Sequence, residues 1–186
     1  MLYCSFGNGL RLTGDKSYEE VLLTGARSLA TRFKPEVGLI RSWDHNRDKW
    51  QYPVIIDNMM NLEHLYNAGL LFGDDTLKSV AVTHANTTLC NHFRPDFTSY
   101  HLVDYDPADG RVRRKETVQG FSDESAWARG QAWALYGYTM MFRLSGYDPD
   151  WVNAGASGER VFPRLAPGSF GILLGTDLAR KLADGL

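Results

Sequence analysis

Cysteine is scarce: Cys4 and Cys90 are the two among 186 residues. Two thiols cannot build a disulfide scaffold, and their spacing does not fit a zinc cluster. They read as ordinary buried thiols. No uninterrupted apolar run approaches the roughly 18 residues of a membrane helix, so a transmembrane helix is excluded. A surplus of one charge is missing too, with 20 Lys plus Arg against 22 Asp plus Glu and a formal net charge of -2. Nucleic-acid binders usually carry a basic excess, which sets that class aside. No positive charge precedes the apolar run Leu2-Tyr3-Cys4-Ser5-Phe6, as a secretory signal would require. That run reads as the inside of a helix, and location stays open between cytoplasm and periplasm. There is no phosphate loop and no nucleophile elbow, and Glu63-His64 lacks the partners of a zinc-binding helix. Neither a metal nor a cofactor is expected.

What the chain does hold is apolar material, 44% of residues, with 12% aromatic and 23% charged. This is the profile of one globular domain with enough apolar surface for a core. Five Trp and nine Tyr suit a site that stacks on sugar rings, and suit a helical core equally well.

Ser17 and Glu20 form a capping-box pattern, and Val21, Leu22, Ala26 and Leu29 follow at helical spacing. A helix to about Phe33 is predicted, stopped by Pro35 and Gly38. Val37 to Trp43 reads as a short extended piece, and Asp44 to Gln51 as a polar loop. After Val54-Ile55-Ile56, a second helix begins near Asp57 and ends near Gly69 to Gly73. Asp74 or Asp75 caps a third, whose core face is Leu77, Val80, Ala81, His84, Thr88 and Phe93. Pro95 ends it. Tyr100, Leu102 and Tyr105 are strand-like, and the turn Asp106-Pro107-Ala108-Asp109-Gly110 returns the chain through Arg111 to Thr117 as a hairpin. Ser122 or Asp123 caps a fourth helix, from about Ser125 to Leu144. Helices dominate, and the fold class read from the sequence is all-α. From Asp148 to Gly175, Pro and Gly recur too often for a long helix. Asp177 to Asp184 offers a short helical pattern with Leu178 and Leu182 on one face.

Two groups of residues could carry chemistry. Asp57 follows three β-branched residues, and an acid in apolar company resists ionisation, which suits a general acid. It also suits a helix cap, because Asp is a leading cap residue. The second group is Gln119-Gly120 through Trp127, Arg129 and Trp133. Arg offers a bidentate fork for a carboxylate and Trp a flat face for a sugar. The plain alternative is a helix packed through its tryptophans, with Arg129 paired to Asp123 or Glu124. His101 serves either a substrate contact or a turn. His84 and His92 read as structural, and His45 with Trp43 and Trp50 as a site rim.

Three stretches together resemble the unsaturated glucuronyl hydrolases, glycoside hydrolase family 88. They are Arg41-Ser42-Trp43-Asp44 with Tyr52 through Leu62, then Ser99 through Pro107, then Gln119 through Gly137. The resemblance covers Leu2 to about Tyr147, well under half of a family member. It implies an (α/α)6 barrel, here a partial one over 1–147, followed by a non-matching Gly/Pro-rich tail over 148–186. It also implies removal of 4,5-unsaturated uronic acid from oligosaccharides that polysaccharide lyases leave. In the implied chemistry an aspartate protonates C4 of the enol ether, water adds at C5, and the hemiketal opens. Asp57 matches that acid and base. His101, Gln119, Trp127, Arg129 and Trp133 match the site lining, with Trp43 nearby. A second family aspartate, in a His-Asp-x-Gly-Phe segment upstream of Leu2-Tyr3, has no match here. The implied partner is an unsaturated uronate oligosaccharide, with no nucleic acid and no membrane. Two other readings stay open: an inactive carbohydrate-binding piece, and a related unsaturated rhamnogalacturonyl hydrolase. A partial barrel also leaves inner helix faces unpaired, Met59, Met60 and Leu135 among them, so self-association is expected.

Overall fold

The computed structural model describes residues 2–95 and 98–145. The expectations for 148–186 lie outside the described residues. A π-helical turn, Tyr3–Gly7, runs into α1, Asn8–Thr13, so the apolar start is helical as expected. α2 spans Ser17–Ala30, α3 Leu62–Phe72, α4 Asp75–His92 and α5 Ala128–Ser145. A 3₁₀ stretch, Ile56–Asn61, precedes α3. β1, Phe33–Lys34, pairs with β2, Leu39–Ile40. β3 (Pro53–Ile55), β4 (Leu102–Tyr105) and β5 (Val112–Glu116) form an antiparallel sheet in that order. The hairpin was foreseen; the third strand was not. Pro53 is tolerated because β3 is an edge strand, where its missing N–H costs no ladder bond.

Caps decide where several helices begin. Asp74 does cap α4, its carboxylate accepting from the amides of Thr76 (3.1 Å) and Leu77 (3.4 Å). The capping box at Ser17 does not form: Asp15 takes the Ser17 amide instead, at 2.9 Å. Neither Ser122 nor Asp123 starts α5. The Asp123 carboxylate is engaged by the Thr117 amide at 3.0 Å, and the helix begins only at Ala128. Both cysteines are exposed, not buried, because Cys90 lies off the inward stripe of α4 and Cys4 faces outward on the first turn.

The main core gathers Met59, Leu62, Leu65, Leu77, Ala81 and Met141 with their neighbours. A smaller one, with Tyr52, Val54, Val103 and Tyr105, lies under the sheet. Met59 is fully buried, contrary to the expectation that it faces solvent, whereas Leu135 is exposed. The reason for the first is α5. Gly137 meets the 3₁₀ backbone so closely that a methyl there would stand 2.7 Å from the Met59 carbonyl oxygen. Asp104, fully buried beneath the sheet, is satisfied twice, by the Tyr52 amide and by Arg113, both at 2.9 Å.

Candidate active site

The antiparallel register sets Ile55 opposite Leu102. The residues leaving β3 and those entering β4 therefore lie at one end of the strand pair. The Ile56 amide closes that end by donating to the His101 carbonyl at 2.9 Å. One residue further, Asp57 comes to face His101, with Oδ2 and Nε2 3.8 Å apart. That is too long for a hydrogen bond. His101 is 2% exposed and Asp57 19%. Asp57 Oδ2 and both ring nitrogens of His101 have no hydrogen-bond partner among the described residues.

Burial acts on the two groups in opposite directions, because it disfavours whichever form is charged. It raises the Asp57 carboxyl, with a contact to its own backbone and the Arg129 guanidinium pulling the other way. It holds His101 down to about 4, helped by the charge of Arg129. A neutral imidazole thus stands beside a carboxyl biased toward its acid form. Asp57 caps neither the 3₁₀ stretch nor α3, so the cap reading fails.

The opposite side comes from the segment that enters α5. The Trp127 ring meets His101 edge-on, centroids 4.6 Å apart. The Arg129 guanidinium lies 4.5 Å over Trp127 and donates to Gln119 Oε1 at 2.5 Å. Arg129 makes no ion pair with Asp123 or Glu124. Gly130 allows this packing: a Cβ there would sit 2.8 Å from the Trp127 ring and 2.9 Å from Ile56. Asp57, His101, Trp127, Arg129 and Gln119 thus form one continuous group.

Two predicted residues stand outside that chain of contacts. Trp43 stacks on His45 at 5.5 Å and meets Trp50 edge-on, and Trp50 donates to Glu116 at 3.1 Å. The aromatics of the loop thus pack on one another, in a group separate from Asp57. Trp133 contacts Tyr136, whose hydroxyl bonds Glu63. His84 is structural as expected, its Nδ1 accepting the Ile40 amide at 3.0 Å. Arg94 went unnoticed in the sequence, although it ties down the segment that carries Trp127. An arginine directly after a helix and before Pro95 is its only linear trace.

No family profile matches the chain. An unsaturated glucuronyl hydrolase of Formosa agariphila is 52% identical over 145 residues, 77% of this chain and 36% of that protein. Along most of its length the chain is similar to the unsaturated glucuronyl hydrolases. An unsaturated chondroitin disaccharide hydrolase of Streptococcus agalactiae is 36% identical over 133 residues, 72% of this chain and 33% of that one. A crystal structure of an unsaturated glucuronyl hydrolase described as specific for heparin superposes with a TM-score of 0.77 at 52% identity. It covers 84% of this chain and 41% of its own. The Bacillus sp. GL1 unsaturated glucuronyl hydrolase gives 0.74 at 30% identity, covering 89% and 44%. This chain spans about a third of the length of the curated relatives it matches. Its helices are part of the (α/α)6 barrel of unsaturated glucuronyl hydrolases.

Proposed function

We propose that this chain carries the acid–base group and one binding wall of a hydrolase that removes 4,5-unsaturated glucuronic acid from lyase-generated oligosaccharides. The observation that supports it most is the Asp57–His101 pair: a carboxyl raised by burial, 3.8 Å from an imidazole kept neutral. An acid poised in this way can hand its proton to C4 of the enol ether near neutral pH. The electron pair of the double bond forms the new C4–H bond, and the ring oxygen shares the positive charge left at C5. Water then adds at C5 and gives its proton to the Asp57 carboxylate, so the acid is regenerated. The hemiketal at C5 opens and the remaining sugar leaves.

Neutral His101 supplies a polar edge to this site without a competing positive charge. Arg129 pairs with the uronate carboxylate through its fork, and Trp127 offers a face to the ring. Gln119 holds the guanidinium in place. Trp43 and Trp133, each in an aromatic group of its own, would supply further apolar surface. The relative described as specific for heparin is 52% identical, against 36% for the chondroitin disaccharide hydrolase. A heparin-type disaccharide is therefore the favoured substrate class.

The test follows the ultraviolet absorbance of the conjugated unsaturated uronate in a disaccharide made by a heparin lyase. Absorbance should fall with this chain. Asp57→Asn should slow that fall by about two to four orders of magnitude, the worth of a positioned acid or base, with the thermal midpoint kept. Constant absorbance with heparin-, chondroitin- and rhamnogalacturonan-derived products would end the hydrolase reading. Equal rates for Asp57→Asn would remove the residue from the chemistry.

A further inference from the structure

We infer that Arg94 is a positioning residue: its guanidinium clamps the segment 117–127 against the end of α4 and so fixes where Trp127 meets His101. Its bearing on substrate rests on the function proposed above; the clamp itself does not. Arg94 lies two residues beyond α4, and its side chain is 10% exposed. One terminal nitrogen donates to Thr98 Oγ1 at 3.3 Å and to the Ser99 carbonyl at 3.2 Å. The other reaches the Asp123 carbonyl at 2.7 Å and the Ser125 carbonyl at 3.3 Å. The guanidinium plane rests on the Tyr100 ring, 3.8 Å from its centroid, while Nε stands 3.8 Å from the Glu124 carboxylate.

The two sets of acceptors belong to parts of the chain about 25 residues apart. Thr98 and Ser99 lead into His101. Asp123 and Ser125 lead into Trp127. One planar cation therefore spans both strands of chain that converge on the His101–Trp127 contact. Only a fork can do this: an ammonium has the charge but cannot reach both sides in one plane.

A second tie acts on the same segment from its other end. Thr117 gives its amide to Asp123 Oδ1 and its hydroxyl to the Asp123 carbonyl, each at 3.0 Å. Between these ties the segment buries little; the Phe121 side chain is 99% exposed. With so little apolar contact to hold it, its position depends on hydrogen bonds. Residues that act in this way matter because a displacement of about 1 Å at a reacting group can cost about a hundredfold in rate.

The experiment uses the whole chain labelled with 5-fluorotryptophan, the Trp127 signal being assigned by its loss in Trp127→Phe. Arg94→Lys should shift or broaden that signal while leaving the Trp43 and Trp50 signals in place. It should also weaken binding of a heparin-lyase disaccharide about tenfold, roughly 1.4 kcal/mol. Asp123→Ala, an exposed position, serves as the second variant: it loosens the same segment at Thr117 and should move Trp127 in the same way. A folded Arg94→Lys with an unmoved Trp127 signal overturns the clamp, and so does an unmoved signal in Asp123→Ala if Arg94→Lys does not fold. Should the parent chain fail to bind the disaccharide while Arg94→Lys moves Trp127, or Asp123→Ala does where Arg94→Lys does not fold, the clamp stands and the proposed function falls.

Discussion

The two walls on either side of the Asp57–His101 pair are built on different principles. One is made of the 3₁₀ stretch and the entry to β4, where Asp57 and His101 are carried by backbone packed under α5. The other is the segment 117–127 with the first turn of α5, where Gln119 and Arg129 are exposed and the chain is held by Arg94, Asp123 and Thr117. The buried wall dominates protonation, since burial is the largest cause both of the raised Asp57 carboxyl and of the lowered His101 imidazole. The polar wall leaves the Arg129 fork and Gln119 exposed, which is where the proposed function puts recognition. Damage to the first should therefore appear as lost stability and altered titration. Damage to the second should appear as lost binding in a protein that melts as before.

The largest effect is expected at the seam of the buried wall. Gly137→Ala places a methyl 2.7 Å from a backbone oxygen, an atom that cannot turn aside as a flexible side chain would. Overpacking of this kind costs about 1–3 kcal/mol, and a rigid neighbour puts the expected loss near the top of that range. Denaturant unfolding measures it; an unchanged midpoint would mean that α5 does not rest on the 3₁₀ stretch.

A smaller effect is expected on acidification. Burial holds His84 to about 3 and His101 to about 4, and lowers His64 and His92 as well. The unfolded chain binds those protons near 6.5, while the folded one refuses them. Their contribution is complete above about 6.5 and declines as pH falls toward about 4 and then 3. Asp57 opposes this in sign, because its raised pKa favours the folded state at low pH and costs stability as pH rises. Four histidines outweigh one acid, so the denaturation midpoint should drop between pH 6.5 and about 4. A flat profile across that interval would show that the imidazoles are not held neutral.

The smallest change in stability belongs to the polar wall. Arg129→Lys keeps the charge and loses the fork that bonds Gln119 and covers Trp127. Its melting should stay within about 0.5 kcal/mol of the parent, as for most exposed sites. Disaccharide binding, read by titration calorimetry, should weaken about tenfold. Equal losses of stability and binding would erase the distinction between the walls.

How far the sequence revealed this arrangement depends on the range of the interactions involved. Asp74 was legible because its cap bonds lie within three residues. Ser17, Asp57 and Asp123 had the right residue types for caps and the wrong partners. For Asp123 the competing donor is Thr117, just beyond β5, across a turn that local pattern does not encode. The hairpin carried its own turn signal, whereas β3 is a strand only because β4 offers it a ladder. Asp57, His101, Gln119, Trp127 and Arg129 were named from motif and resemblance, and the fold joins them by contact. Trp43 and Trp133 were named with them but lie in aromatic groups of their own. Arg94 stayed hidden because its meaning lies in acceptors on two distant segments.

Gly130 and Gly137 touch the 3₁₀ stretch on either side of Asp57, one at Ile56 and the other at Met59. The helix and the acid are thereby indexed to each other like two parts on a common jig, on the Met59 backbone at Gly137 and on the Ile56 Cγ2 methyl at Gly130. Any side chain at either position would act as a shim. It would part α5 from the stretch that carries Asp57. The spacing of α5 from Asp57 is in this sense set by two missing side chains, so variation around the group has to be made in the exposed segment 117–127.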